Sequence, residues 1–179
     1  FLYAVSETDS GPNQSGRITA YAIDSATGGL RMLNRRLTGG ADPCYLQVDA
    51  TGKAVVAANY TGGSVASFPL RADGSLGERG SFHQHVGSSI NPDRQEAAHA
   101  HMARTDASNR WVFVPDLGMD KVTVYQLDAA SGKVLPNTPF ATAVDAGQGP
   151  RHFDIHPSQK FAYVINELGS TVTAFRYDP

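Results

Sequence analysis

The 179-residue chain has little of what most familiar function classes require. It holds one cysteine, Cys44, so no internal disulfide framework exists. That fits a reducing compartment, and a cytoplasmic location is the expectation. No apolar run approaches the roughly 18 residues of a membrane span, so no membrane partner is expected. Lys and Arg number 15 against 17 Asp and Glu, for a net charge of −2, and no basic stretch stands out. Nucleic acid is therefore not expected as a partner either. There is no GxSxG, no P-loop, no GxGxxG after a strand and no CxxC. No long amphipathic helix is legible. No leader sequence is visible, but Phe1 falls inside a strand pattern, so the natural N-terminus is expected further upstream.

What is present is glycine and repetition. The 18 glycines exceed the usual share of about 7% and suit a fold of many tight turns. Four segments repeat one pattern, in units of approximately 1–41, 42–98, 99–148 and 149–179, and the first begins in mid-unit. Asp42–Leu76 reads DPCYLQVDATGKAVVAANYTGGSVASFPLRADGSL, and the segments from His99 and Gly149 follow it. Aromatic anchors recur at Tyr21, Phe68, Tyr125 and Phe175, spaced 47 to 57 residues apart. Repeats of about 50 residues built from short strands and turns predict an all-β propeller of four-stranded antiparallel blades. The chain as a whole, 1–179, then forms a single partial propeller of three to four blades.

Each unit supplies strand signals. CYLQV, HMART and RHFDI are short. AVVAANY, WVFVPDL and FAYVINE are apolar, and SVASFPL, KVTVYQL and TVTAFRY alternate, with Val65, Val122 and Val172 in one register. Turns are predicted at Thr51-Gly52, Ser108-Asn109 and Ser158-Gln159, and again at Gly62-Gly63, Gly118 and Gly169. Fourth strands are assigned to Leu30–Leu37 and Thr138–Ala146. The polar segment 77–98 reads as a long connection. An open arc of blades leaves apolar faces uncovered, which predicts either further blades or self-association.

The pieces PCYLQVDATGK…VAANYTGGSV, RQEAAHAH, VPDLGMDKV and GPRHFDIHPSQKFAYVINELGSTVTAF resemble the seven-bladed β-propeller lactonase family. That family includes propeller-type 6-phosphogluconolactonases and carboxy-cis,cis-muconate lactonizing enzymes. The resemblance implies a ring of seven blades, of which this chain is the N-terminal half. It also implies lactone chemistry without a metal or organic cofactor, on a small anionic lactone. The expected reaction is hydrolysis of 6-phosphogluconolactone, with muconate lactonisation and a non-catalytic protein-binding propeller as alternatives.

Aligned on Lys53, Arg110 and Lys160, the units place Cys44, His101 and Arg151 at one position. Asn59, Asp116 and Asn166 share another, and Tyr60, Leu117 and Glu167 the next, with Ser6 and Glu7 the counterparts of these two in the first half unit. The first strand of a blade lines the central channel, so His101 and Arg151 are expected to face one opening. Lactone hydrolysis needs an activated water and a stabilised oxyanion. His101 or Glu167 can take the proton; Arg151 can hold the oxyanion or a substrate anion. The family's catalytic His, Arg and Glu map onto His101, Arg151 and Glu167, with His99 the alternative histidine. A further family Arg is expected beyond the segment. Each residue also has a structural role open to it: a channel-wall hydrogen bond for His101, an ion pair for Arg151 with Glu167. Candidate substrate-binding residues are His99, Arg94 and His152, although strict alternation turns His152 to the face opposite Arg151. HAH (His99, His101) and HQH (His83, His85) each set two imidazoles on one strand face, but without further ligands no metal site is assigned. Cys44 is not assigned as a nucleophile.

Overall fold

A computed structural model describes residues 1–9 and 14–178; residues 10–13 of the first unit and the last residue of the fourth lie outside it. Fourteen strands form four antiparallel sheets, with no α-helix among the described residues. The first sheet is β1 (Leu2–Ser6), β2 (Arg17–Ile23) and β3 (Leu30–Leu37). The second is β4 (Pro43–Val48), β5 (Ala54–Asn59), β6 (Ser64–Pro69) and β7 (Ser81–Gln84). The third is β8 (Arg104–Thr105), β9 (Trp111–Asp116), β10 (Lys121–Asp128) and β11 (Lys133–Ala143). The fourth is β12 (Pro150–Ile155), β13 (Phe161–Asn166) and β14 (Thr171–Arg176). Strands follow one another across each sheet in chain order, the meander of a propeller blade.

The antiparallel blades form as expected: among the described residues the two middle sheets have four strands and the first and last have three. One expectation needs correction. The second sheet's fourth strand, β7, lies in the segment read from sequence as a connection. Its SFHQ is too short and too polar to carry a strand signal alone; pairing with β6, Val65 opposite His83, makes it one. The strand assigned to Leu30–Leu37 forms as expected, and the one assigned to Thr138–Ala146 is the later part of β11.

Because strand side chains alternate between faces, each inner sheet presents two apolar faces, and each face meets a neighbouring sheet. Ile18 and Ala20 of the first sheet pack with Val55, Ala57, Ala66 and Phe68 of the second. The second sheet's other face, Val56, Ala58 and Val65, packs with Val112, Val114 and Tyr125 of the third. The third sheet's far face, Phe113 and Val122, packs with Phe153, Ala162 and Val164 of the fourth, where the Phe113 and Phe153 rings stack at 4.6 Å. Three of the aromatic anchors thus do one job: Phe68, Tyr125 and Phe175 each pack toward the preceding sheet. Tyr21 of the first sheet is only half-buried and belongs to none of these clusters. On the fourth sheet the pattern ends openly, with Val172 at 62% exposure and Ile165 at 52%. Its counterparts Val65 and Val122 are buried.

The turns also stitch sheet to sheet. Asp49 Oδ1 accepts the backbone N–H groups of Lys53 and Ala54, both at 2.7 Å, and Asp106 Oδ1 accepts those of Arg110 and Trp111, both at 3.0 Å. Gly52, Asn109 and Gln159 hold equivalent left-handed positions, with φ of 69°, 59° and 57°. Asn109 then reaches to the neighbouring turn: its Nδ2 donates to Asp49 Oδ2 at 2.8 Å, and its Oδ1 accepts Ala50 N–H at 2.9 Å. At the opposite ends Gly63 has no room for a side chain, since a Cβ there would stand 2.3 Å from Ala98 O, in the segment that leads into the third sheet. Truncating Phe68, wholly buried between two sheets, should cost about 3–5 kcal/mol. Chemical denaturation of Phe68→Ala checks this, and a loss below about 1 kcal/mol would show that the inter-sheet contact is not a true core.

Candidate active site

The site grows from an irregularity in the innermost strands. In β4 the register shifts between Pro43 and Tyr45, leaving Cys44 as the extra residue. In β12 it shifts between Pro150 and His152, leaving Arg151. A bulge of this kind re-aims side chains and bends the strand. It corrects the expectation that His152 turns to the face opposite Arg151: both line one open depression of about 480 Å³ together with Glu167 and Asn166. His152 also stands edge-on to His101, with ring centroids 5.3 Å apart. An apolar groove of similar size between the third and fourth sheets, at Trp111, Phe153 and Phe175, holds none of these ionisable groups.

Backbone bonds set the depth of the key side chains. Tyr60, Leu117 and Glu167 each donate their N–H to a carbonyl 18 residues earlier, on Asp42, His99 and Gly149, at 2.8, 2.9 and 2.7 Å. Glu167 is thereby pinned two residues from Arg151. The turn is fixed in its place by buried Asp120, whose two carboxylate oxygens accept Gly147 and Gly149 N–H at 2.6 and 2.7 Å.

Glu167 sits between two guanidinium groups. Arg94 Nη2 donates to Oε1 at 2.6 Å, and Arg151 Nε lies 2.8 Å from Oε2. The Arg151 N–H is not aligned for a hydrogen bond, so that contact is charge pairing, and Arg94 provides the directed bond. Burial pushes the Glu167 carboxyl up. The Arg94 hydrogen bond and the Arg94 and Arg151 charges outweigh this and hold it below its ordinary value. Arg94 reaches the cluster from the segment after β7. Its neighbour Gln95, fully buried, anchors that segment by donating to Leu117 O at 2.8 Å. Arg94 also donates to the Tyr60 hydroxyl at 3.0 Å.

The two histidines of HAH separate clearly. His99 has both ring nitrogens engaged, Nδ1 with Tyr60 O at 3.1 Å and Nε2 with Glu96 Oε1 at 3.2 Å, and it stacks on Tyr60 at 4.7 Å. Its backbone N–H is held by Asp116 Oδ1 at 2.8 Å. His101 instead has a buried Nδ1 without a partner among the described residues. Burial, then the Arg151 and His152 charges, pull its pKa down to about 4, so its ring is neutral at neutral pH.

The remaining candidates have structural work. Asp116 also bonds His85 Nδ1 at 2.6 Å, and His85 Nε2 meets the Tyr125 hydroxyl at 2.6 Å in a wholly buried chain. His83 Nε2 bonds Val134 O at 2.8 Å. Asn59 and Asn166 brace their hairpins by donating to Ser64 at 2.9 Å and Thr171 at 3.0 Å. Cys44 lies beside the cluster, its thiol against His101 O at 3.3 Å and pushed up to about 12 by burial and the Glu7 charge. Among the described residues no three His, Cys, Asp or Glu side chains gather as metal ligands. Among the described residues no helix is long and apolar enough to cross a membrane. Tyr60 and Asp120 were missed from sequence as site residues. Tyr60 stands at the aligned position of Glu167, which was the available signal.

Four stacked meander sheets with a cluster of ionisable side chains at one end describe part of a β-propeller. The model of the seven-bladed β-propeller lactonases matches residues 1–179, and the chain belongs to that family. It is 37% identical over 178 residues to the 6-phosphogluconolactonase of Bacillus subtilis, covering 99% of this chain and 48% of that protein. Against the 6-phosphogluconolactonase of Formosa agariphila identity is 34% over 177 residues, covering 98% and 49%. The solved structure of the periplasmic gluconolactonase of Pseudomonas aeruginosa superposes with a TM-score of 0.90 at 32% identity, covering 99% of this chain and 51% of that one. The chain spans about half the length of the relatives it matches.

The His101 ring should titrate by NMR with a midpoint near pH 4, well below the ordinary 6.5. Between those values the unfolded chain takes a proton that the folded one refuses. Stability should therefore fall as pH drops from about 6.5 to about 4, and His101→Gln should remove that component. A midpoint at 6.5 would mean that the ring is open to solvent.

Proposed function

We propose that the protein bearing this chain hydrolyses a sugar-acid lactone, 6-phosphogluconolactone to 6-phosphogluconate, by acid–base catalysis in the central channel. The observation that carries the reading is the convergence of Arg94 and Glu167 on Arg151 of the innermost strand β12, beside an unprotonated His101. The remaining sheets of a seven-bladed ring would cover the open apolar faces here.

Both Glu167 oxygens are occupied by guanidiniums, whereas the His101 ring is neutral at neutral pH, so His101 is the base. A water gives its proton to His101 as its oxygen bonds to the lactone carbonyl carbon. The carbonyl oxygen becomes an oxyanion, held by Arg151. The intermediate collapses with cleavage of the bond from the carbonyl carbon to the ring oxygen. That oxygen takes the proton back from His101 and becomes a hydroxyl, and the new carboxylic acid ionises. Glu167 holds Arg151 in place and balances its charge. Arg94 and His152 face the substrate, and His99 supports Tyr60. The reading places the protein in sugar-phosphate metabolism, with an expected cytoplasmic location. The Pseudomonas aeruginosa relative is described as periplasmic, and the substrate in its name carries no phosphate.

The test is hydrolysis of freshly prepared 6-phosphogluconolactone by the full-length protein, alongside a muconolactone. Arg151→Ala should lower turnover by about 100- to 1,000-fold, the usual cost of one oxyanion donor. Turnover of the muconolactone alone would favour a lactonizing enzyme. Full activity in Arg151→Ala, His101→Ala and Glu167→Gln would leave the channel without a catalytic role and favour a passive binding propeller.

A further inference from the structure

We propose that Arg94 and Tyr60 form the subsite for the substrate's phosphate, and that Glu167 occupies Arg94 in its place until substrate binds. The inference rests on the lactonase reading above and specifies which end of the substrate goes where. Arg151 and Arg94 grip opposite oxygens of one carboxylate, Oε2 and Oε1, so the two guanidiniums stand a carboxylate's width apart. Arg151 is the one beside the reacting centre: its charge acts on His101, and it lies on the innermost strand. Arg94 comes from outside the sheets, on the segment anchored by Gln95, and lies on the far side of Glu167. A lactone whose carbonyl meets Arg151 therefore projects its distal group toward Arg94.

The chemistry at that end suits phosphate. Arg94 Nη2 donates to both the Glu167 carboxylate and the Tyr60 hydroxyl oxygen. Tyr60 accepts this bond and so keeps its own proton to donate to an incoming oxygen. The Tyr60 ring is held in place by stacking on His99 at 4.7 Å and by His101 edge-on at 5.6 Å, so the hydroxyl is presented by a fixed ring. A phosphate offers more charge and more acceptor oxygens than the carboxylate it displaces, and a guanidinium pairs with it at two points. The Arg94–Glu167 pair is partly exposed, with side chains at 43% and 31%, which keeps the exchange affordable. Glu167 stays paired with Arg151 throughout and does not become an unpaired charge.

The test compares 6-phosphogluconolactone with unphosphorylated gluconolactone in the full-length protein, and measures inorganic phosphate binding by calorimetry. Arg94→Gln should narrow the preference for the phosphorylated substrate, in kcat/KM, by about 10- to 100-fold, mainly through KM. Tyr60→Phe should narrow it less, and Arg94→Lys should restore part of it. Phosphate should inhibit the wild type competitively and bind Arg94→Gln at least about tenfold more weakly. Equal losses on both lactones would overturn the proposal and make Arg94 a brace for Glu167. So would unchanged phosphate binding in Arg94→Gln. If the wild type hydrolyses neither lactone, the lactonase reading fails; the calorimetry still decides whether Arg94 and Tyr60 bind phosphate.

Discussion

A sheet with apolar side chains on both faces must be covered on both sides, and most of this structure follows from that requirement. Alternation along β5, β6, β9 and β10 sends every second side chain to each face, so a middle sheet can be satisfied only between two others. Stacking sheets face to face brings their innermost strands, β4, the 99–105 segment and β12, side by side. The polar residues at one end of those strands then have nowhere to go but toward a shared opening. The same requirement explains the exposed Phe161, Tyr163, Ile165 and Val172, which present a face with no neighbouring sheet.

Within that frame the site is made by charge crowding. One carboxylate between two guanidiniums is held ionised, and a neighbouring imidazole is held neutral first by burial and then by the Arg151 and His152 charges. Glu167 and Arg151 thus make an ion pair, the structural role that sequence also allowed, and the pair still belongs to the site because the Arg151 charge adds to burial in keeping His101 neutral. Buried polar braces keep the arrangement fixed. Asp120 clamps the turn before Arg151, Asp116 holds the backbone of His99, and Gln95 ties down the segment that delivers Arg94.

The repeat was legible because it is a pattern of packing. Phe68, Tyr125 and Phe175 recur since each must fill the gap to the preceding sheet. The turn pairs recur since each needs one left-handed residue. The triplet His101, Arg151 and Glu167 could be found by aligning the chain to itself, with the family resemblance adding roles. Other features were not legible. The bulge at Arg151 is a register change that no side chain announces, and it decided where His152 points. Strand β7 owes its conformation to pairing with β6 and not to its own SFHQ. The pairing of Arg94 with Glu167 joins residues 73 apart in sequence, and the engagement of both His99 nitrogens depends on Tyr60 and Glu96. These are tertiary facts, and a local pattern carries no trace of them.

The central claim is that this cluster binds and turns over an anionic lactone. A crystal structure of the full-length protein with bound 6-phosphogluconate, the product of the proposed reaction, tests it most directly. The account predicts the carboxylate at Arg151 within hydrogen-bond reach of His101, the phosphate on Arg94 and Tyr60, and Glu167 withdrawn from Arg94. Product bound elsewhere on the ring, with the Arg94–Glu167–Arg151 cluster undisturbed, would contradict it.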